Sequence, residues 1–592
     1  MEGTFKRKSD VYIVAVDLPY HDQERTDRNE DNSEFNVEKT ESHDVTCVQK
    51  GKELLKLHVT NVCLILICLG YCVYLGFALY IDPIGAILVT LIGALFFLYL
   101  VLRFTNLNIS DLSKRKGIRN CCGSVSVKSR IIIKRIITVI LVLGLITFIL
   151  YDTWDKWEKL TPLGGLAIFL FILFITSKSP RKVKWMTVIW GILLQFLMGI
   201  IILRWPPGYA ACKFVGDQVA IFLLYTDAGS KFVFGETTYL YHVVIFKILP
   251  VVVYFSAIVS ILYYLGIMQM VIKAIAKVFE VVLETTAIES FATSAQIFVG
   301  AVETSVTLKP FLNDITRSEL HAVLTSGFAT VAGTVIAAYI EFGVPPEHVI
   351  SASFMSAPAA LAVSKLGWPE EEKSKNLTGD DIQLDVGNES NIMEAASAGA
   401  TTAVKLVAFV VVNLIAFIAI LAFIDAVISY YGSRVGHPEV NFEFLCSYIF
   451  MPLAVVMGVP WEDCGKVASL IGKKLIINEF LSFADLGAMT KSGELQGRSV
   501  VIATYILCGF GSIAAVGINL GSYTAAEPRR RRDYAKGMLR ALIAGNIACF
   551  MTACIAGLLY QDVPVSLSTN TTTPFNQSLA NFTSSTTQTT II

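Results

Sequence analysis

The sequence predicts an all-α polytopic membrane protein of about eleven transmembrane helices, with two re-entrant hairpins and two broken helices in an inverted repeat. Three observations carry that expectation. The 592 residues are 54% hydrophobic with only 48 basic and 48 acidic side chains, too little charge to cover the surface of a soluble protein of this size. The apolar residues gather in runs close to the ~20 residues that a helix needs to cross a bilayer, and the runs lack the period-two alternation of a membrane strand. Two further apolar stretches, each broken by glycine and carrying a carboxylate, recur with similar spacing in the two halves of the chain.

Residues 1–56 hold 13 acidic and 9 basic side chains and no apolar run, which predicts a disordered cytoplasmic tail without a secretory signal. Three amino-terminal helices are expected within 57–160, in the runs 57–80, 84–102 and 131–151. A core at 161–560 follows, with runs at 163–176, 186–203, 243–268, 320–342, 349–366, 404–428, 500–523 and 541–560. An odd number of spans puts the chain ends on opposite sides.

Basic residues fix which side is which, because they are retained in short cytoplasmic loops. The segment after the second run carries Arg103, Lys114, Arg115, Lys116, Arg119, Lys128, Arg130, Lys134 and Arg135 against Asp111. The loop after the fourth run adds Lys178, Arg181, Lys182 and Lys184, and Arg529–Arg532 precede the last run. All three loops are therefore expected inside, with the amino terminus cytoplasmic and residues 561–592 extracellular at the plasma membrane. That outer tail holds glycosylation sequons at Asn570, Asn576 and Asn581, whereas those at Asn108, Asn376 and Asn388 fall in loops placed inside and are expected to stay unmodified.

The net charge of zero offers no basic footprint for nucleic acid. Most of the twelve cysteines sit in or beside apolar runs without metal or disulfide spacing, and the adjacent pair Cys121 and Cys122 is read as unmodified thiols. His321 and His348 lie at span ends, where solvation or capping is their expected role. No nucleophile triad, phosphate loop or dinucleotide fingerprint stands in a usable context, so the chain is not read as an enzyme.

The two remaining stretches, near 287–312 and 463–486, carry Glu303 and Glu479. Each reads as a hairpin that enters and leaves the membrane on one side, the first opening inward and the second outward. Each is followed by a glycine-interrupted span, Gly327-Phe328-Ala329-Thr330-Val331-Ala332-Gly333 and Gly509-Phe510-Gly511-Ser512-Ile513-Ala514-Ala515. The carboxylates are 176 residues apart and the heptapeptides 182, the mark of an inverted repeat. Broken helices expose backbone groups that a bilayer tolerates only around a polar cavity. A buried carboxylate needs a donor, a cation or a hydroxylated ligand. The competing expectation pairs Glu303 with Lys309, and Glu479 with Lys473 or Lys474.

The string Gly472-Lys473-Lys474-Leu475-Ile476-Ile477-Asn478-Glu479-Phe480 resembles the G-x-K-x-x-x-N-E-F signature of the concentrative nucleoside transporters, the cation-coupled nucleoside symporters. Residues 328–334, 355–362 and Cys508-Gly509-Phe510 are similar to further family strings, and the resemblance runs from about Pro162 to Tyr560. The three leading spans and the outer tail are those of the animal, eleven-span type. The resemblance implies a homotrimeric sodium-coupled nucleoside symporter in which hairpins and broken helices form the substrate site and move as an elevator against a scaffold.

The resemblance also implies site residues. Sodium ligands map onto Gln296, Val299, Thr334 and Val335, with Gln296 standing where the family has asparagine and the carbonyls of Val299 and Val335 contributing. Substrate contacts map onto Ala301, Val302, Glu303, Glu479, Phe510, Ser512 and Ala515. Ala301 and Val302 replace the glutamine and hydroxyl residue that hydrogen-bond the nucleobase, Ser512 replaces an asparagine and Ala515 a ribose-contacting serine. Both carboxylates survive while neutral hydrogen-bonding groups are lost, each worth about 1 kcal/mol. The alternatives are a proton-coupled or altered-substrate transporter of the same fold, and a non-transporting membrane receptor or scaffold.

Overall fold

The computed structural model describes residues 127–561, apart from 154–159, 242–243, 373, 375–388, 435 and 438. The amino-terminal tail, the first two apolar runs and all six sequons lie outside the described residues. Every regular element among the described residues is helical, and seven helices are long and apolar enough to cross a membrane.

The described residues begin with α1 (Val127–Thr153), α2 (Thr161–Ile175) and α3 (Trp185–Gly199), the last continuing as a π-helical turn over Ile200–Arg204. Three helices that the hydropathy pattern did not single out follow: α4 (Pro206–Leu224), α5 (Thr226–Phe234) and α6 (Glu236–Tyr241). A second π-helical turn leads into α7 (Leu249–Tyr264), and α8 (Ile267–Leu283) precedes the first hairpin, α9 (Ala287–Gln296) and α10 (Ala301–Thr307). The first broken helix is α11 (Arg317–Ala329) with α12 (Gly333–Glu341), after which come α13 (Pro346–Gly367) and α14 (Ile392–Arg434). The second half holds α15 (Phe442–Ile449), α16 (Met451–Val456), the second hairpin α17 (Cys464–Ile476) and α18 (Glu479–Lys491), the second broken helix α19 (Gly497–Leu507) and α20 (Ile513–Ala526), and α21 (Arg531–Leu559).

Within the described residues the expected runs become helices with shifted ends. The run 404–428 belongs to a helix of 43 residues, and the second hairpin extends to Lys491, beyond the expected 486. Local chemistry explains where the functional helices begin. Capping boxes start both α9 and α11: the Thr286 N–H donates to Glu289 Oε1 at 2.7 Å, and the Thr316 N–H donates to Glu319 Oε2 at 2.8 Å. In the second repeat Asn478 caps α18, accepting from the Leu481 N–H at 2.9 Å, and Ser512 caps α20, accepting from the Ala515 N–H at 3.2 Å.

Small residues let the long helices approach closely, as membrane packing requires. A Cβ on Gly191 of α3 would sit 2.6 Å from Ala362 Cβ of α13, and one on Gly545 of α21 would sit 2.6 Å from Phe328 Cβ of α11. Buried polar contacts add to this: Gln195 Nε2 donates to Thr552 Oγ1 at 2.7 Å, joining α3 to α21. The α14 helix instead lies along α7, where Ser256 Oγ donates to the Gly399 carbonyl at 3.0 Å. Along its apolar stretch Phe417, Leu421 and Ile424 pack on Phe442 and Cys446, while Val412, Ile415 and Phe423 remain exposed.

The repeats exchange partners. The second arm of the first hairpin, α10, packs on α20 of the second broken helix, and the second arm of the second hairpin, α18, packs on α12 of the first.

Candidate functional site

The breaks in the two broken helices meet. Gly509 has φ +127°, a region that favours glycine, and a Cβ there would lie 2.8 Å from the Phe328 carbonyl and 3.2 Å from the Ala329 carbonyl. The tip of the first hairpin reaches the same place, since the Gly333 N–H donates to the Phe298 carbonyl at 2.9 Å.

Backbone carbonyls released by the breaks find donors on neighbouring elements. Lys474 Nζ, fully buried on α17, donates to the Ile506 carbonyl at 2.8 Å. From α21, Asn546 Nδ2 donates to the Gly511 carbonyl at 2.9 Å, and one turn on Cys549 Sγ donates to the Ala329 carbonyl at 3.4 Å. One face of α21 thus holds both breaks. Asn546→Leu is expected to strand the Gly511 carbonyl at a cost of about 1–3 kcal/mol; a lowered melting temperature of the purified protein checks it, with Asn546→Gln as the partial rescue.

Both carboxylates lie in the first turn of the second arm of their hairpins, where the positive end of the helix dipole favours an anion. Glu303 folds back over the hairpin tip, a Cβ on Gly300 lying 2.7 Å from its Oε2, and it keeps accessible surface. Glu479 is only 1% exposed and its Oε2 has no hydrogen-bond partner. Above α18, Tyr339 of α12 stacks on Phe483 with ring centroids 4.0 Å apart, and its buried hydroxyl is also without a partner.

The expected lysine pairings of these acids do not form. Lys473 binds Glu443 and Asp485, each at 2.5 Å, Lys474 serves the backbone as above, and no ion pair among the described residues joins Glu303 to Lys309. Both acids are left for another partner.

Of the other expected substrate residues, Val302 is 38% exposed beside Glu303, Ala301 is nearly buried and Phe510 is partly buried. Ser512 spends its hydroxyl oxygen on the α20 cap. Ala515 is fully buried in the apolar cluster shared with the first hairpin and presents no surface to a ligand.

The expected cation residues divide in two. Val299 at the hairpin tip and Thr334 and Val335 just past the first break are brought together by the Phe298–Gly333 bond, and no hydrogen bond to the Thr334 hydroxyl occurs among the described residues. A hard cation takes oxygen ligands, and the Thr334 hydroxyl and the backbone carbonyls of this segment are of that type. Gln296 fits less well, because it is 1% exposed and its amide is engaged: Oε1 accepts from the Ser326 hydroxyl, while Nε2 donates to the Val323 carbonyl at 3.2 Å and to the Tyr523 hydroxyl at 3.5 Å. Gln296 ties α9 to α11 and α20.

His321 corrects an expectation. It is 2% exposed, not solvated, and its Nδ1 lies 2.7 Å from Ser364 Oγ, because α11 begins at Arg317 and carries it inside. Sequence reading also missed Lys365, whose ammonium lies 2.6 Å from Glu289 at the base of the first hairpin, and it missed Asn546 and Cys549. The Thr286-x-x-Glu289 box was a local signal for the first; a lone amide in an apolar run was the signal for Asn546.

Paired hairpins and crossed broken helices, with charged groups at helix ends between them, define the class as a membrane transporter built on an inverted repeat. Models of the Na+ dependent nucleoside transporter family match its N-terminus at residues 164–237 and its C-terminus at 348–557, with a nucleoside recognition gate at 245–346. The chain is 41% identical over 528 residues to sodium/nucleoside cotransporter 1 of Oryctolagus cuniculus, covering 87% of this chain and 79% of that one. It is 48% identical over 417 residues to solute carrier family 28 member 3 of Homo sapiens, a match that covers 68% of this chain and 60% of that relative's length. The solved structure of CNTnw in an inward-facing substrate-bound state superposes with a TM-score of 0.65 at 32% identity, covering 69% of this chain and 99% of that one. CNTnw in an outward-facing state gives 0.66. The chain belongs to the Na+ dependent nucleoside transporter family.

Proposed function

We propose that this protein carries nucleosides into the cell together with sodium, by elevator-type alternating access, as a homotrimer in the plasma membrane. The observation that carries the reading is Glu479, a buried carboxylate at the start of α18 whose Oε2 lacks a partner. A carboxylate in that setting calls for hydroxyl donors, and the vicinal hydroxyls of a ribose supply two; Glu303, on the other hairpin, supplies a second acceptor.

Sodium's place is between the first hairpin tip and Thr334, with Val299 and Val335 beside it. There a cation draws the tip against the first break, so that closure over the nucleoside follows cation binding. Protons are the alternative coupling ion, because the amide of Gln296 is already engaged. The α7–α14 pair is the scaffold in this reading, and the uncovered apolar face of α14 is where further copies of the chain meet it. The amino terminus is cytoplasmic, and the tail bearing Asn570, Asn576 and Asn581 is extracellular and glycosylated.

The exposed methyl groups of Val302 favour a second reading within transport, in which the solute is held by its sugar and the base is read weakly. Restoring amide and hydroxyl by Ala301→Gln with Val302→Thr is expected to lower the nucleoside KM several-fold, which concentration-dependent uptake measures. The function itself is tested by uptake of labelled uridine and adenosine in cells lacking their own nucleoside carriers, with sodium replaced by choline and external pH varied. Concentrative uptake lost in choline supports sodium coupling, and uptake that follows pH moves the coupling to protons. No uptake with the protein at the surface overturns the proposal.

A further inference from the structure

Away from the crossing of the breaks, four elements converge on a cavity of about 240 Å3 at the end of the molecule that the sequence assigns to the cytoplasm. The loop between α2 and α3 brings Lys178, the start of α11 brings Arg317, the end of α13 brings Trp368, and the first turns of α21 bring Asp533 and Lys536. No role in the reading above uses these residues.

The charges do not balance. Asp533 is engaged by Arg317 at 3.4 Å and by Arg530 at 3.3 Å. Lys178 has one distant carboxylate, Glu371 at 3.5 Å, which also binds Lys182 at 3.3 Å. Lys536 enters no ion pair among the described residues. A fourth cation, Arg540, lies one turn further along α21.

Trp368 organises the cluster. The Lys178 ammonium lies 4.5 Å from its ring centroid and the Arg540 guanidinium 6.0 Å from it, so the ring holds two like charges near one concavity by its quadrupole. Cations gathered at a recess focus positive potential and raise the local concentration of anions.

We propose that this cavity binds the phosphate of a phosphomonoester. Ammonium and guanidinium groups arriving from separate elements can each donate to a different oxygen of a doubly charged tetrahedral anion. A single water needs only about 10–15 Å3 on this measure, so the volume leaves room for an organic substituent on the phosphate. The site lies among α2, α11, α13 and α21, and a ligand there bridges helices that support both the first hairpin and the crossing of the breaks. Two sources share this chemistry: a soluble phosphorylated metabolite and a phosphomonoester lipid headgroup.

The test uses the purified full-length protein in phosphatidylcholine nanodiscs, titrated with uridine monophosphate and with inorganic phosphate, with chloride at matched ionic strength as the control. Saturable thermal stabilisation by uridine monophosphate, weaker by inorganic phosphate, is expected. Lys536→Glu, an exposed and unpaired position, should weaken the midpoint at least tenfold while leaving the unliganded melting temperature unchanged, and Arg317→Gln should weaken it less. Loss of the soluble ligand's effect in nanodiscs containing phosphatidic acid assigns the site to the lipid, and persistence assigns it to the soluble ester. Absence of saturable stabilisation in plain nanodiscs together with no thermal shift from phosphatidic acid, an equal effect of chloride, or equal titrations for wild type and Lys536→Glu overturns the proposal. Uridine titrated alone marks any stabilisation that comes from the transport site, so the proposal stands or falls apart from transport.

Discussion

Glu479→Gln is expected to abolish uptake while the protein reaches the surface in normal amount and melts no lower than the parent. The two halves of that result have one cause. Glu479 is 1% exposed with an oxygen that no donor reaches, so in the empty protein its charge costs folding free energy that a neutral amide does not. The ligand reverses the account: hydrogen bonds from hydroxyls to a charged acceptor are worth about 1.5–3 kcal/mol each, and two of them correspond to a loss of roughly 100-fold or more in affinity. Uptake kinetics together with a melting curve separate this role from a structural one. A variant that melts lower and transports normally would show that Glu479 serves the fold alone.

The second large effect concerns backbone space. Gly509→Ala places a methyl group 2.6 Å from Cys549 Sγ and 2.8 Å from the Phe328 carbonyl, at a φ of +127° that L side chains rarely adopt. One of the obstructing atoms is backbone of the other broken helix, which cannot step aside without moving its own break. The variant is expected to be retained and degraded. Gly517→Ala in the same broken helix, where an added Cβ meets nothing within 4 Å, should express normally and gain slightly from helix propensity. Surface biotinylation of the two variants compares them directly, and equal abundance would show that the breaks do not touch in the folded protein.

The difference between those glycines marks how far the sequence could be read. That residues 327–333 and 509–515 interrupt helices was legible, because small residues and a helix-length apolar run stand together there, whereas the caps that Asn478 and Ser512 give to α18 and α20 came only with the structure. Neighbourhood in space was not legible. Nothing local tells that Gly509 abuts Phe328, that Asn546 and Cys549 serve one break each, or that Lys474 reaches Ile506. Among the candidate site residues, the two acids were found by their cost in a membrane, a property of the residue itself. The engagement of Gln296 by Ser326 and Tyr523 depends on elements 30 and 227 residues away, and so does the burial of Ala515. The hydropathy pattern also passed over α4 to α6, whose polar residues interrupt the apolar count.

The exchange of partners between the repeats has a consequence for biosynthesis. The arm α10 leaves the ribosome with its packing surface, α20, still about 200 residues from being made, an interval of roughly 10–40 s at ordinary elongation rates. During that time the first hairpin, with Glu303 at its tip, has no native neighbour in the second half to cover it. Membrane insertion of the first repeat must therefore precede its consolidation, and a nascent chain stalled before residue 513 holds a carboxylate-bearing hairpin without its seat, a ready substrate for membrane quality control.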